Sequence, residues 1–225
     1  MDRGIVSYWA EFLGTFTLCF VGQGTICSLT LAGHVELLPI AVAHGLALTV
    51  MISAFGATSS AHFNPAVTFG FLVTRKLSVA SALRYWVSQL LGAVVASWLL
   101  TLCFPASVWQ SVRLGAAAVS PEISPAIAML IEFVLTFFLV TVVWGTEVDT
   151  RSPKIGGFAI GLTVLMDILI GGPLTGAAMN PARAFGPALI SGAWGPHWVW
   201  WIGPLAGGAL AAVIYRNLVL PAEER

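Results

Sequence analysis

Long runs of apolar residues, separated by short polar segments, extend along the whole chain. A helix that crosses a membrane needs about 20 predominantly apolar residues. Six runs reach or approach that length: Val6–Leu29, Leu37–Phe55, Ala80–Phe104, Ala126–Trp144, Ile155–Gly171 and Trp198–Leu220. The pattern therefore predicts an all-α membrane protein with six transmembrane helices.

Two further apolar segments, Asn64–Phe71 and Asn180–Ile190, are too short to cross a membrane. Each begins with Asn-Pro, and Asn is a favoured helix N-cap while Pro is favoured at the first helical position. A helix of about ten residues is about 15 Å long, which is half of a hydrocarbon core of about 30 Å. We therefore predict two re-entrant half-helices that enter the membrane from opposite faces.

The chain contains an internal repeat. Ala10–Phe16 resembles Ile131–Phe137, and the segment around Asn64 resembles the segment around Asn180 in the same order. We predict one channel domain over residues 1–225, built from a first repeat at 1–110 and a second at 120–220. Because each repeat holds three spans, the repeats are inverted. Inverted repeats with paired interrupted segments point to a transport path at the membrane midplane.

Composition excludes several classes of protein. Hydrophobic residues make up 58% of the chain and charged residues 9%, whereas soluble domains carry about 25% charged residues. A soluble enzyme is therefore excluded. Formal net charge is zero with no basic block, so nucleic acid is not an expected partner. The three cysteines lie in apolar runs without metal-ligand spacing, so we expect no metal and no cofactor.

The basic residues indicate the orientation of the chain in the membrane. Eight of the ten lie on the side that carries both termini: Arg3, Arg75, Lys76, Arg84, Arg151, Lys154, Arg216 and Arg225. Positively charged loops face the cytoplasm. We therefore expect an integral protein of a cell or organelle membrane with both termini cytoplasmic.

The paired asparagines suggest what passes between the half-helices. Each helix N-terminus carries about half a positive charge, and each Asn amide can donate hydrogen bonds. Such a site suits a neutral permeant and repels protons and cations. Alternatively, the two Asn-Pro pairs merely cap buried helices. The pore is favoured because two of the three asparagines in the chain occupy equivalent places in the two repeats.

These motifs together resemble the aquaporin, or major intrinsic protein, family. The resemblance covers nearly the whole chain and rests on the two Asn-Pro-Ala boxes, on a carboxylate in the first and fourth spans, and on one arginine. Those residues are Asn64, Pro65, Ala66, Asn180, Pro181, Ala182, Glu11, Glu132 and Arg183. The resemblance implies a homotetramer in the lipid bilayer, with one pore per subunit for water and small neutral solutes.

The resemblance also places a four-residue selectivity filter on His44, Ile168, Ala177 and Arg183. This combination is similar to the plant tonoplast and aquaporin-8-like branch, which implies passage of ammonia and hydrogen peroxide as well as water. A strict water channel and a glycerol or small-solute facilitator remain alternatives. The facilitator is disfavoured because Ala184 stands where facilitators have Asp after the arginine.

Three carboxylates in the predicted spans are expected to support the structure. Glu11 and Glu132 are expected to accept hydrogen bonds from the irregular backbone before each half-helix, with direct contact to the permeant as the alternative. Asp167 is expected to order the backbone of a loop at Gly171–Pro173. For His44, the alternative to a place in the filter is that of a core histidine bonded to a backbone carbonyl.

Rival functions find less support in the sequence. An intramembrane enzyme is disfavoured because the chain contains neither His-Glu-x-x-His nor Gly-x-Ser-x-Gly. An alternating-access transporter would show saturable flux. An adhesive membrane protein would need long outer loops or a binding tail. We therefore predict a channel and no enzyme activity.

Overall fold

The structure is a computed structural model that describes residues 4–153 and 155–224. Within these ranges every regular element is helical. The α-helices found there, in chain order, are α1 (Ile5–Leu31), α2 (Leu37–Ser59), α3 (Pro65–Val73), α4 (Val79–Cys103), α5 (Ala106–Ser111), α6 (Pro125–Val143), α7 (Gly156–Thr175), α8 (Pro181–Ser191) and α9 (Val199–Ile214). Helices α6 and α9 each continue through a short π-helical segment, Trp144–Val148 and Tyr215–Val219 respectively.

Six helices in the described part of the chain are long and apolar enough to cross a membrane. They are α1, α2, α4, α6, α7 and α9, and they coincide with the six predicted spans. Helices α3 and α8 coincide with the predicted half-helices. The predicted all-α membrane fold is therefore confirmed. Arg3, Lys154 and Arg225, which contributed to the predicted orientation, lie outside the described residues.

The predicted end of the fifth span is wrong, and this error affects the role predicted for Asp167. The fifth span was expected to end at Gly171, but α7 continues through Pro173 to Thr175 and ends before Gly176, whose φ is 78°. The segment Gly171–Pro173 is therefore helical. A membrane helix can accommodate Gly and Pro because neighbouring elements satisfy the freed backbone groups.

The two halves of the chain pack their long helices in the same way. Helix α1 packs along α4, and α6 packs along α9 in the same way. Gly92 of α4 lies so close to the carbonyl oxygen of Phe12 that a Cβ would overlap it, and Gly207 of α9 has the same relation to Phe133. Both contacts join equivalent positions of the two repeats. Small residues of this kind allow membrane helices to approach closely.

The two repeats also interlock through their half-helices. Helix α3 of the first repeat packs against α9 of the second, and α8 of the second packs against α4 of the first. Helices α2 and α7 pack against each other across the repeat boundary. Because each half-helix rests on a long helix of the opposite repeat, their N-terminal ends are brought together in the interior.

Candidate functional site

The N-terminal ends of α3 and α8 meet through a pair of crossed hydrogen bonds. Asn64 Nδ2 donates to the carbonyl oxygen of Met179 at 2.8 Å, and Asn180 Nδ2 donates to the carbonyl oxygen of Phe63 at 2.8 Å. Each side-chain oxygen caps its own helix by accepting from Ala66 N or Ala182 N. An amide NH2 group has two hydrogens, so each asparagine retains one donor beyond the crossed bond.

Both asparagines line an interior cavity. The cavity lining combines apolar side chains of α2, α6 and α7 with polar residues, among them Asn64, Asn180 and Arg183. The apolar residues on those three helices are Leu48, Ile52, Leu139, Val143, Ile160, Val164 and Ile168. A small hydrogen-bonding molecule would thus find a few polar groups in an otherwise apolar lining.

The backbone before each half-helix has an unusual conformation. Positive φ angles occur at Ala61 (46°) and Phe63 (48°) in the first repeat, and at Ala177 (42°) and Met179 (51°) in the second. Left-handed backbone is uncommon for residues other than glycine. Conformations of this kind persist only where the surroundings fix them, and in both repeats a buried glutamate supplies the fixing hydrogen bonds.

Glu11 is fully buried and accepts four hydrogen bonds. Two come from the backbone N–H groups of His62 (2.9 Å) and Phe63 (2.7 Å). The others come from Ser59 Oγ and Gln89 Nε2, each at 2.7 Å. The carboxylate therefore ties α1 and α4 to the segment that leads into α3.

Glu132 has the equivalent position in the second repeat and is also fully buried. It accepts hydrogen bonds from the backbone N–H groups of Ala178 (2.8 Å) and Met179 (2.7 Å). Thr175 Oγ1 donates a third at 2.7 Å. The carboxylate ties α6 to the segment that leads into α8.

The four residues assigned to the filter lie together along the cavity. His44, Ile168, Ala177 and Arg183 all line it, and each is at most 5% exposed. Among the described residues, Arg183 Nη1 has no hydrogen-bond partner. A buried guanidinium with an unused donor can bind a molecule that enters the cavity.

His44 combines the two alternatives considered for it. Its Nδ1 lies 2.8 Å from the carbonyl oxygen of Ile40, one turn earlier in α2. Because a carbonyl only accepts, Nδ1 carries the proton, and in a neutral ring Nε2 is an acceptor. No described residue bonds to Nε2, and the ring packs so closely on Gly22 that a Cβ there would overlap it. The histidine is thus bonded to the backbone and also lines the cavity.

The expected role of Asp167 is wrong. The loop that it was to order is part of α7, where backbone N–H groups take part in helical hydrogen bonds. Asp167 is 1% exposed, and its Oδ2 finds no hydrogen-bond partner within the described residues. The side chain is also absent from the lining of the central cavity.

The structure adds residues to which the sequence gave no role in the site. His62 lines both the central cavity and a second cavity toward the termini. Its Nδ1 lies 3.1 Å from Thr68 Oγ1, and its ring packs between Phe71 and Tyr85 at centroid distances of 4.4 and 5.3 Å. The sequence feature that could have pointed to His62 was its position two residues before Asn64. Gly22 and Gln89 had no signal, because their roles depend on contacts between distant helices.

An ion pair lies on the side of the termini, just outside the membrane-spanning segments. Arg151 donates from Nε to Asp149 Oδ1 (2.9 Å) and from Nη2 to Oδ2 (2.7 Å). Tyr215 donates to the same carboxylate at 3.2 Å. The hydrogen bond from the Arg151 side chain is the largest cause that holds the pKa of Asp149 well below its ordinary value. The pair fixes the turn between α6 and α7.

Comparison with known proteins gives the same family throughout. The chain matches the family described as Major intrinsic protein over residues 4–215. It is 44% identical over 226 residues to a probable aquaporin TIP3-2 of Arabidopsis thaliana, an alignment that covers 94% of this chain and 83% of the relative. It is 43% identical over 215 residues to aquaporin TIP1-2 of Zea mays, covering 92% of this chain and 83% of the relative.

A solved structure agrees with these relatives. The fold matches the X-ray structure of the aquaglyceroporin from Plasmodium falciparum with a TM-score of 0.81 and 25% sequence identity, over 96% of each chain. The predicted resemblance is therefore confirmed, and the relatives named above carry the TIP designation of the tonoplast branch. Members of this family are transporters and not enzymes. The chain is an integral membrane protein that belongs to the aquaporin, or major intrinsic protein, family of channels.

Proposed function

We propose that this protein is a passive channel for water and other small neutral molecules. The observation that carries the proposal is the pair of crossed asparagine bonds at one cavity, which leaves one amide hydrogen on each of Asn64 and Asn180. A water molecule between them can accept from both amides. Its own hydrogens must then point away, toward the two mouths of the pore.

The same arrangement supports the exclusion of protons and cations. A water that accepts from both asparagines cannot pass a proton along an ordered chain of donors and acceptors. The positive ends of α3 and α8 face this point, and Arg183 adds a fixed charge in the cavity lining. These positive charges raise the barrier for a cation more than for a neutral molecule.

The composition of the filter supports ammonia and hydrogen peroxide as further permeants. Ile168 provides an apolar wall, Ala177 takes little space, and His44 contributes the acceptor Nε2. A neutral molecule that donates hydrogen bonds can therefore bind without a second charged group. Ammonium carries a charge and should be rejected by Arg183. The names of the TIP relatives favour the tonoplast branch, to which this filter is similar.

Glu11 and Glu132 are proposed to act as positioning residues for this pathway. Their hydrogen bonds to the backbone of residues 62–63 and 178–179 support this role.

Water and small neutral solutes are the proposed permeants. The lipid bilayer and three further copies of the chain are the proposed partners, since the family resemblance implies a homotetramer. The basic residues favour cytoplasmic termini, and the TIP relatives favour an organelle membrane.

The proposal is tested by stopped-flow measurement in liposomes that contain the purified protein. Water flux should exceed that of empty vesicles, and peroxide and ammonia flux should rise with it. His44→Phe together with Ile168→His should narrow the filter and reduce peroxide and ammonia flux more than water flux. Ile170→His is the matched control, because Ile170 lies two residues further along α7 and is 67% exposed on the outer surface.

Three outcomes would contradict parts of the proposal. Water flux equal to that of empty vesicles would remove the channel function. Glycerol flux as large as water flux would favour the facilitator. Unchanged peroxide and ammonia flux in the double variant would show that His44 and Ile168 do not set the selectivity.

A further inference from the structure

Met179 lies in the interior of the protein, directly before the second Asn-Pro-Ala box. It is 2% exposed and lines the central cavity. Of the other methionines that the structure describes, Met51 and Met129 are partly buried and Met166 is 48% exposed, and none of the three lines that cavity. Among the described residues, Met179 therefore supplies the one thioether in the wall of the cavity.

The backbone of Met179 is held on both sides. Its N–H donates to Glu132 at 2.7 Å, and its carbonyl oxygen accepts from Asn64 Nδ2 at 2.8 Å. Its φ is 51°, a left-handed conformation that is uncommon for a residue other than glycine. Because the backbone cannot turn without breaking these bonds, the side chain keeps its place in the cavity wall.

Unlike its equivalent in the first repeat, the side chain of Met179 forms part of this wall. Phe63 has the equivalent backbone position, since its N–H donates to Glu11 and its carbonyl oxygen accepts from Asn180. Its ring packs so closely on Gly14 that a Cβ there would overlap it, and Phe63 is not among the described residues that line the cavity. Met179 instead packs in one cluster with most of the apolar side chains that line the cavity.

A thioether in this position meets an oxidant that the channel is proposed to carry. Hydrogen peroxide converts methionine to methionine sulfoxide. One peroxide oxygen forms a bond to sulfur, the O–O bond breaks, and the other oxygen leaves with both hydrogens as water. The sulfur is oxidised and the peroxide is reduced, so the step needs no further reactant.

On the basis of the proposed passage of peroxide, we propose that Met179 is an oxidation site, at which permeating hydrogen peroxide forms a sulfoxide that slows further flux. The sulfoxide is polar, and its oxygen accepts hydrogen bonds. It forms in a cavity lined by the amides of Asn64 and Asn180, each of which has one unused hydrogen. An amide that donates to the sulfoxide no longer donates to a passing water, so the flux falls.

Mass spectrometry of the protein in liposomes tests the site. The liposomes are exposed to hydrogen peroxide or to tert-butyl hydroperoxide, whose branched butyl group is much larger than water, and sulfoxide is then quantified at each methionine. Hydrogen peroxide should oxidise Met179. The bulky peroxide should oxidise methionines outside the cavity, such as Met166, and spare Met179. His44→Phe together with Ile168→His should slow the oxidation of Met179 by hydrogen peroxide and leave that of Met166 unchanged.

Water flux measures the consequence of the oxidation. After exposure, the peroxide is removed, and dithiothreitol reverses the reversible oxidation of cysteines but leaves methionine sulfoxide in place. Stopped-flow water flux should then be about fivefold lower than before exposure, the loss expected when a passing water finds one hydrogen bond fewer. Met179→Leu should keep the flux that it had before exposure, because leucine has no sulfur. Met166→Leu is the matched control and should lose flux like the unchanged protein.

Peroxide flux is measured first, on protein that has not been oxidised, in liposomes that hold a peroxide-sensitive dye. Absent peroxide flux would overturn the proposed permeant and the oxidation site with it. Normal peroxide flux with Met179 unmodified, or equal oxidation of Met179 by the two peroxides, would overturn the oxidation site alone. Unchanged water flux with Met179 oxidised would overturn the slowing of flux, and an equal loss of flux in Met179→Leu would assign the effect to another residue.

Discussion

The two repeats share one scaffold and differ in the side chains that the scaffold presents. In each, a buried glutamate accepts from two successive backbone N–H groups and one hydroxyl, and an asparagine then starts a half-helix. The first repeat places His62, bonded to Thr68, beside its asparagine. The second places Ala178 there and adds Arg183 one turn into its half-helix. The backbone is thus nearly symmetric, while the charge is not, and we infer that selectivity depends on the asymmetric part.

The hydrogen bonds that hold the backbone before α3 and before α8 differ in one respect. Gln89 donates to Glu11 and to Thr68, and its Oε1 has no partner in the described part of the chain. The hydrogen bonds described for Glu132 come from α7 and from the segment that follows it, with no equivalent glutamine. The first repeat therefore holds a spare acceptor close to the N–H groups that its glutamate satisfies.

The largest effect is expected from removing the glutamates. Glu132→Ala leaves two buried N–H groups unpaired, and each costs about 1–3 kcal/mol. We expect little folded protein on size exclusion. Glu11→Ala should be milder, since Gln89 can turn its oxygen toward the same backbone, and adding Gln89→Leu should make the two repeats equally sensitive.

Glu122→Ala, at an exposed acidic residue, is the control for this comparison and should leave the elution profile unchanged. If Glu11→Ala and Glu132→Ala were equally harmful, and Gln89→Leu added nothing, the spare acceptor would have no role.

The next effect concerns the asymmetric side chains. Arg183→Ala removes the fixed charge from the cavity lining and should raise proton or cation leak at least about tenfold, which corresponds to about 1.4 kcal/mol of barrier. His62→Ala should change water flux but leave the leak unchanged. A pH-sensitive dye inside liposomes measures the leak, and stopped-flow light scattering measures water flux. Equal leaks in the two variants would show that selectivity does not follow the asymmetry.

A smaller effect is expected at a glycine that the filter requires. In Gly22→Ala the added methyl group overlaps the His44 ring. The ring must then shift toward the cavity, and overpacking of this kind costs about 1–3 kcal/mol. We expect severalfold slower water flux in liposomes with the folded protein still present.

Gly56→Ala in α2 is the matched control, because a Cβ there meets nothing within 4 Å. It should keep full water flux and gain a little stability, about 0.5–1 kcal/mol, from the loss of glycine flexibility. Normal flux in Gly22→Ala would show that the His44 ring has room on another side.

The smallest effect is a dependence of stability on pH on the side of the termini. The pKa of Asp149 is lower in the folded protein than its ordinary value. Its contribution is therefore complete above the ordinary aspartate pKa of about 3.9, and it declines as the pH falls below that value. The thermal midpoint in detergent should fall over this range. Asp149→Asn should lower the midpoint at neutral pH and reduce the change on acidification.

The elements that the sequence predicted well are those that a local pattern determines. The six apolar runs defined the spans, and each Asn-Pro pair marked the start of a half-helix to within one residue. The end of α7 was misplaced because Gly171, Gly172 and Pro173 normally end a helix in water, whereas here α7 continues through them, with Gly171 packed against Leu135 and Gly172 against Leu37. The wrong role of Asp167 followed from that error.

The missed features of the site have a different cause. Gln89 acts through a contact with Glu11, 78 residues away in sequence, and no local pattern records such a contact. His62 bonds to the nearby Thr68, but its position before Asn64 did not indicate that its ring packs on Tyr85 of α4. The resemblance named the candidate filter residues but gave no indication of the room that Gly22 leaves for His44. The contacts that these side chains make with other helices are thus the part of the site that the sequence could not predict.

The crossed bonds between the asparagines have a consequence for how the protein is made. Asn64 has its acceptor on Met179, so that acceptor does not exist until the ribosome has added more than a hundred further residues. During synthesis α3 must therefore remain in the membrane without this hydrogen bond until Met179 has been added. The second arrives with its own acceptor, Phe63, already in place. Assembly of the pore is thus a late event that completes both halves at once.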